Sequence, residues 1–282
     1  MPRVPVAKTY KMFIGGKFPR TESGRYDPLT DKAGNLIANV SRGSRKDFRN
    51  AVVAAHAAQP GWAKASAYLR SQILYRAAEM LEGRSAQFVE ELKLQGSTAA
   101  AATREVEAAT DLLVHYAGWA DKYQQIYSTV NPVASPHFNF SVPEPVGLVA
   151  AVAPEKSGLL GLVSVIAPII TGANSCVVLA SHSAPLCAVT MAEVFATSDL
   201  PGGVVNLLTG RRDELLPTIA SHMDVNAVLL CSDDAGEKKL LQTDAALNVK
   251  RVSIQPNSPL EGSPYHILDF SEIKTTWHPV GL

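Results

Sequence analysis

The sequence predicts an α/β protein organised around a Rossmann-like, doubly wound parallel sheet. Short, nearly continuous apolar runs at 147–152, 175–179, 204–208, 225–230 and 249–254 have the character of strands buried on both faces. Each is separated from the next by a segment long enough for a helix, at 159–171, 185–197, 212–221 and 235–242. The stretch PEPVGLVAAVAPEKSGLLGLVSVIAPIITGANSCVVL contains the first complete strand–turn–helix–strand unit. In such a unit the first strand–helix turn is the usual place for a ligand.

Within that unit Pro154 ends the strand and residues 155–158 form the turn. Gly172, Ala173 and Asn174 supply the helix stop. Upstream, residues 8–40 read as short strands and turns. Gly15-Gly16 divides KMFIGGKF into two apolar pieces, a hairpin signal, and turn chemistry recurs at Ser23-Gly24 and Asp27-Pro28. Four helices follow. Ser44 and Asp47 form an acidic capping box ahead of the apolar face Phe48, Ala51, Val52 and Ala55. Leu69, Ile73, Ala77, Met80 and Leu81 mark the second helix, closed near Gly83, and Ser85 is placed to cap a third that buries Phe88, Val89 and Leu92. A fourth runs from about Thr98 to Tyr123. Residues 126–142 alternate like a β-ribbon, and a two-stranded ribbon is marginal in water without a covering surface.

Composition excludes several function classes. Apolar residues make up 46% of the 282 and charged residues 18%, with 26 basic and 26 acidic side chains. No global field therefore draws the chain to nucleic acid or to an anionic membrane. Cys176, Cys187 and Cys231 sit in apolar segments without metal-ligand or paired spacing, as expected of buried free thiols. MPRVPVAKTYK lacks the apolar centre of a signal peptide, and the apolar stretch 159–170 is too short to span a bilayer. A cytoplasmic location is expected.

EPVGLVAAVAP, its apolar helix and GANSCVVL resemble the cofactor domain of the aldehyde dehydrogenase superfamily. The likeness extends to AAHAAQPGWAKASAYLRSQILYRAAEMLEGR, DLLVHYAGWADKY, DLPGGVVNLLTG and SHMDVNAVLLCS, and to FSEIKTTWHPVGL at the C-terminal end. The resemblance implies a hairpin and helical part at 1–125, an oligomerisation ribbon at 126–146 and a Rossmann-like sheet at 147–255. It further implies a linker at 256–269 in place of the catalytic domain, and a final strand at 270–282. In the family that strand lies near the ribbon or the subunit contact, so His137, Phe138 and Phe140 become candidate contact residues. The overall pattern is most similar to the truncated second half of family 16 enzymes.

The family's chemistry needs a cysteine nucleophile, an oxyanion donor, a base and a held nicotinamide. Where the family has the turn Pro-Trp-Asn-Phe-Pro, whose Asn stabilises the oxyanion, this chain has Glu155, Lys156, Ser157 and Gly158 after Pro154. Ala180 stands at the ribose-binding lysine position, and Ser183 lies near that of the glutamate. Cys231, Ser232 and Asp233 replace Thr, Gly and Ser before the pyrophosphate helix. Asp233 and Asp234 there would repel phosphate. Gln255 occupies the place of the general-base glutamate and cannot take a proton at neutral pH. No cysteine follows Gln255.

The resemblance thus implies a non-catalytic subunit with no catalytic, cofactor-binding or metal-binding residues, associating with a full-length NAD(P)-dependent aldehyde dehydrogenase. Three alternatives stand beside it: a self-associating scaffold, residual NAD binding by another mode, and altered chemistry using Lys156 and Ser157 as base and nucleophile. His182 and His222 lack partners at ligand spacing and read as surface or capping histidines.

Overall fold

The computed structural model describes residues 6–31 and 33–281. It opens with β1 (Lys8–Tyr10), β2 (Tyr26–Thr30) and β3 (Leu36–Ser41), a small sheet in which β3 pairs parallel with β1 and antiparallel with β2. The Gly15-Gly16 turn is closed by an Ile14–Lys17 bridge, and Gly15 donates its N–H to Asn206 Oδ1 at 2.9 Å. The helical part is α1 (Arg45–Lys64), α2 (Ala67–Glu82), α3 (Ser85–Leu94) and α4 (Ala99–Trp119). The Ser44–Asp47 capping box forms as expected, and Gly83 closes α2. Ser85 is already the first residue of α3 and makes no capping bond, so the expected cap falls one position too late. The fourth helix stops at Trp119 rather than Tyr123, and the chain turns into α5 (Tyr123–Tyr127), which buries Tyr123.

β4 (Thr129–Asn131) and β5 (His137–Pro145) lead to β6 (Leu148–Val152), α6 (Leu160–Thr171) and β7 (Ser175–Leu179). Then come α7 (Leu186–Ala196), β8 (Val205–Leu208), α8 (Arg212–Ser221), β9 (Ala227–Cys231), α9 (Ala235–Ala245) and β10 (Arg251–Gln255). The five parallel strands lie in the order β10-β9-β6-β7-β8. Alternation splits their side chains between two faces. Val149, Ala151, Cys176 and Val178 pack with α2, α4, α6 and α7. Leu148, Ala150, Val152, Val177 and Leu179 pack with α1, α8 and α9. Helices on both faces make the sheet doubly wound, as the sequence predicts.

The start of β6 is tightly specified. Gly147 has φ 121°, and a Cβ there would lie 2.6 Å from Asn226 Oδ1. Gly147 N–H donates to Asn174 Oδ1 and Leu148 N–H to Asn226 Oδ1, each at 2.9 Å. Fully buried Asn174 also donates from Nδ2 to Phe270 C=O at 3.0 Å, tying this strand to the final segment.

From Gln255 the chain crosses α6 and α4: Leu260 N–H meets Ser164 Oγ, and Tyr116 OH donates to Ser263 C=O. It contains α10 (Tyr265–Leu268), which buries Ile267, so this connection is packed rather than a free linker. β11 (Ser271–Pro279) then pairs antiparallel with β5 along its whole length. The two-stranded ribbon read from the sequence is therefore part of a three-stranded sheet, β11-β5-β4. Residues 126 and 127 within that reading are helical. The third strand comes from far along the chain, a pairing no local pattern reveals.

Candidate functional site

In a doubly wound sheet the ligand crevice lies at the carboxyl ends of strands where the order reverses. Here that is between β6 and β9. A crevice of about 540 Å³ opens at this point, lined by Glu155, His182, Ser183, Arg212, Asp233 and Glu237, among others.

The chain's own charges fill much of its floor. Glu155 Oε2 accepts the backbone N–H groups of His182 at 2.9 Å and Ser183 at 3.0 Å, and the Ser181 hydroxyl at 3.2 Å. Glu155 Oε1 lies 2.8 Å from Arg212 Nε. Neither of those two buried atoms has an aligned hydrogen-bond partner, so their contact is Coulombic. Arg212 continues through Nη1 to Cys231 C=O at 3.2 Å and Glu237 Oε2 at 3.3 Å, and through Nη2 to Ala153 C=O. The guanidinium thus bridges the carboxyl ends of β6 and β9. Its side chain is 12% exposed and lies between two carboxylates. Ser232 Oγ donates to Glu237 Oε2 at 2.5 Å.

The helix N-termini around the crevice are also occupied. Asp234 Oδ1 accepts Glu237 N–H at 2.8 Å and caps α9. Asp233 Oδ1 accepts Asn257 N–H at 3.1 Å, while Asn257 Oδ1 takes Glu155 N–H at 2.7 Å. At α6, Glu105 Oε1 accepts Leu159 and Leu160 N–H at 3.0 and 3.2 Å and the Ser157 hydroxyl at 2.6 Å. A carboxylate therefore faces the positive end of each of these helices.

The residues singled out in the sequence disperse. Lys156 is largely exposed and points to Asp233, 3.7 Å away. Ser157 is buried and its Oγ accepts Gly161 N–H at 2.8 Å. The base–nucleophile reading of these neighbours is thereby overturned: one side chain faces solvent, the other caps a helix. Ala180 is buried, and Ser183 wraps the Glu155 backbone, Oγ donating to its C=O at 2.5 Å. Gln255 Nε2 reaches Ser253 Oγ at 3.3 Å. His182 is exposed. His222 ends α8 and packs edge-on against Phe48, and burial holds its imidazole below the usual range.

All three thiols are buried. Burial pushes each upward, Cys231 to about 12 despite the opposing field of Arg212. A thiol so placed is inert as a nucleophile. Among the described residues, no group of three or more His, Cys, Asp or Glu side chains is arranged to hold a metal ion. No helix there is long and apolar enough to cross a membrane.

Sequence reasoning passed over Arg212, Glu105 and Asn257. Glu237 was findable, because Asp234 followed by Glu237 has capping-box spacing. Arg212 carried no local signal.

The second surface of interest is the β11-β5-β4 sheet. Phe138 and Phe140 share one face with Val130, their rings 5.6 Å apart, and Phe138 and Val130 are exposed. His137 lies on the opposite face, edge-on to Trp277. On that face Asn131 Nδ2 donates to Asn139 Oδ1 at 2.6 Å and Ser141 Oγ at 2.9 Å, and Ser141 meets the Thr275 hydroxyl at 2.8 Å.

Comparison with known proteins places the whole arrangement. Residues 19–258 match the model of the aldehyde dehydrogenase family. The chain is 30% identical over 258 residues to the mitochondrial benzaldehyde dehydrogenase of Antirrhinum majus, covering 89% of this chain and 48% of that protein. It is 29% identical to the omega-crystallin of Enteroctopus dofleini, covering 95% of this chain and 55% of that one. HpcC from Thermus thermophilus superposes with a TM-score of 0.83 at 27% identity, over 88% of this chain and 48% of that one. The NAD+ complex of Bacillus cereus aldehyde dehydrogenase gives the same TM-score at 24% identity, over 88% and 50%. The chain spans about half the length of these relatives. By its matched residues and its fold, it belongs to the aldehyde dehydrogenase family.

Proposed function

We propose that this chain is a non-catalytic member of the family, a structural or regulatory subunit that joins a full-length NAD(P)-dependent aldehyde dehydrogenase. The observation that carries this reading is the crevice's occupancy by the chain's own charges: Arg212 is ion-paired with Glu155 and Glu237 where a dinucleotide would lie. These residues do not fit a pyrophosphate. The N–H groups of His182 and Ser183 already hold a carboxylate, and Asp234 caps α9. Bringing two further negative charges to that place would require displacing Glu155 and would meet Asp233, Asp234 and Glu237. The three thiols, buried and shifted upward, add no nucleophile and suit a reducing cytoplasm.

The stripe Val130–Phe140–Phe138, exposed at Val130 and Phe138, supports the assembly role, because apolar surface of this kind gains by being covered. Co-expression with a full-length aldehyde dehydrogenase from the same source tests the proposal. A complex that survives gel filtration, in which only the full-length subunit binds NAD, is expected. NAD-dependent aldehyde oxidation by this chain alone would overturn the reading. A second reading, self-association, is favoured by one separate feature, the open edge of β11.

A further inference from the structure

Between β10 and α10 the chain runs PNSPLEGSP, a strap laid across α4 and α6. Little fixes it there. Pro256, Pro259 and Pro264 have no N–H to bond, and residues 256–264 join no strand. Among the described residues the strap makes two hydrogen bonds to these helices. Leu260 N–H donates to the buried Ser164 Oγ, and Tyr116 OH to Ser263 C=O, each at 3.0 Å. One apolar side chain of the strap, Leu260, is buried. A segment held by so few bonds and buried contacts opens more readily than the core beneath it.

Under the strap lies His115 of α4. The Gly262 backbone approaches it closely: a Cβ there would stand 3.3 Å from Leu112 Cδ1 and 3.5 and 3.6 Å from His115 Cδ2 and Nε2. The imidazole packs edge-on to Tyr116, ring centroids 5.1 Å apart, and lies 6.3 Å from the Trp119 ring. Its Nε2 is buried and has no hydrogen-bond partner. A neutral ring tolerates this, with its proton on Nδ1 and a bare lone pair at Nε2. An imidazolium carries N–H on both nitrogens, so Nε2 becomes a charged donor without an acceptor. Burial accordingly holds His115 below the usual histidine range. Charged groups of the surrounding elements are engaged elsewhere or stand apart. They are Asp111 one turn back on α4, the Asp121–Lys122 pair beyond its end, Glu261 beside Gly262, and the His266–Asp269 pair at α10. Arg76 and Glu79 of α2 line a separate groove with Val114 and Ala117, and α6 carries no charge. Among the described residues, no hydrogen bond or ion pair joins any of them to His115 Nε2.

We infer that residues 256–264 form a proton-released strap, closed over neutral His115 and lifted when the imidazole takes a proton. Lifting moves Gly262 away, lets Nε2–H reach water, and bares Leu112 and the Ser164 hydroxyl where α4 and α6 meet. The sign follows from the two states. With the strap open, His115 titrates near the ordinary value of about 6.5; with it closed, lower. The closed form is therefore fully favoured above about pH 6.5. It loses ground below that, by up to about tenfold per pH unit, until the closed-state value is passed. The His266–Asp269 pair acts in the opposite sense, because protonated His266 is held more firmly by its carboxylate. α10 thus stays seated while the segment before it lifts. The device operates in the chain alone, whatever the chain assembles with.

The test uses the whole chain and hydrogen exchange read by mass spectrometry from about pH 8 to about pH 5, each rate divided by that of the unfolded chain at the same pH. Protection of peptides spanning 257–264 should be level down to about pH 6.5 and then fall, by up to about tenfold per unit. Peptides of β6 and α6 should keep theirs. His115→Phe leaves an apolar ring under Gly262 without a titrating nitrogen, and should hold the strap closed and level across the range. His115→Gln, which cannot titrate either, should be equally level. Tyr116→Phe removes the bond to Ser263 and should lower protection at every pH, by up to about tenfold, with the fall below 6.5 retained. His266→Gln and Glu261→Gln should leave that fall in place. A wild type level across the range would overturn the inference. So would a fall that survives in both His115 variants, or one shared by β6 and α6, which is general unfolding.

Discussion

At the carboxyl end of the five-stranded sheet, the N–H groups of Glu155, His182, Ser183 and Glu237 are bonded to the chain's own side chains. Along β11, the outer strand of its sheet, the end bonds Val146 N–H to Phe270 C=O and Val280 N–H to Pro136 C=O turn the even-numbered residues inward, so the N–H groups of Ile273, Thr275 and Trp277 point away from β5. The first region has the position of a ligand site and the bonding of a finished interior. The second has the bonding of an unfinished one. This contrast ties function to satisfaction of polar groups: a place whose backbone donors are held by the chain's own carboxylates offers little to an anionic ligand, whereas an open ladder invites another strand.

Breaking the closed region at its centre should have the largest effect. Arg212→Ala leaves Glu155 and Glu237 without the charge between them and two strand-end carbonyls without donors. A loss of about 3–5 kcal/mol in urea unfolding is expected. Asn174→Ala acts on the joint between the regions, since Asn174 bonds both Gly147 and Phe270. Leaving those backbone groups unpaired should cost about 2–3 kcal/mol and loosen the start of β11 in hydrogen exchange.

Alkaline pH probes the buried end of β9. The Cys231 thiol ionises near 9 when free and near 12 in the fold. The unfolded chain therefore sheds this proton first. Its contribution to stability is full below about pH 9 and declines between 9 and 12, by about 1.4 kcal/mol per pH unit. The urea midpoint as a function of pH measures this, and Cys231→Ala should flatten the slope. Glu155→Ala sharpens the comparison by reopening the floor. It frees the N–H groups of His182 and Ser183 beside Arg212, so inorganic phosphate at several times its Kd should raise stability by about 1 kcal/mol. The wild type should not respond.

Much of the five-stranded sheet was legible in the sequence because its signals are local. Runs such as LVAAV and SCVVL declare strands buried on both faces, and Ser44–Asp47 and Gly83 declare helix ends within a few residues. The site was legible only as a set of losses. Glu155 stood out as a replacement, but its partner Arg212 is remote in sequence and met only through the fold. The pairing of β11 with β5 is likewise non-local, and its register, Ser271 opposite Pro145 through Pro279 opposite His137, is defined only once the strands are adjacent. The Lys156–Ser157 reading failed for the opposite reason: neighbours in sequence on a tight turn diverge in space.

The measurement that tests the account most directly is native mass spectrometry of this chain mixed with a full-length aldehyde dehydrogenase and NAD. It resolves composition and cofactor occupancy together. The expected result is an assembly containing both chains, with NAD bound only in proportion to the full-length subunits. An assembly, or a free chain, in which this protein itself carries NAD would contradict the claim that its crevice is occupied by its own charges.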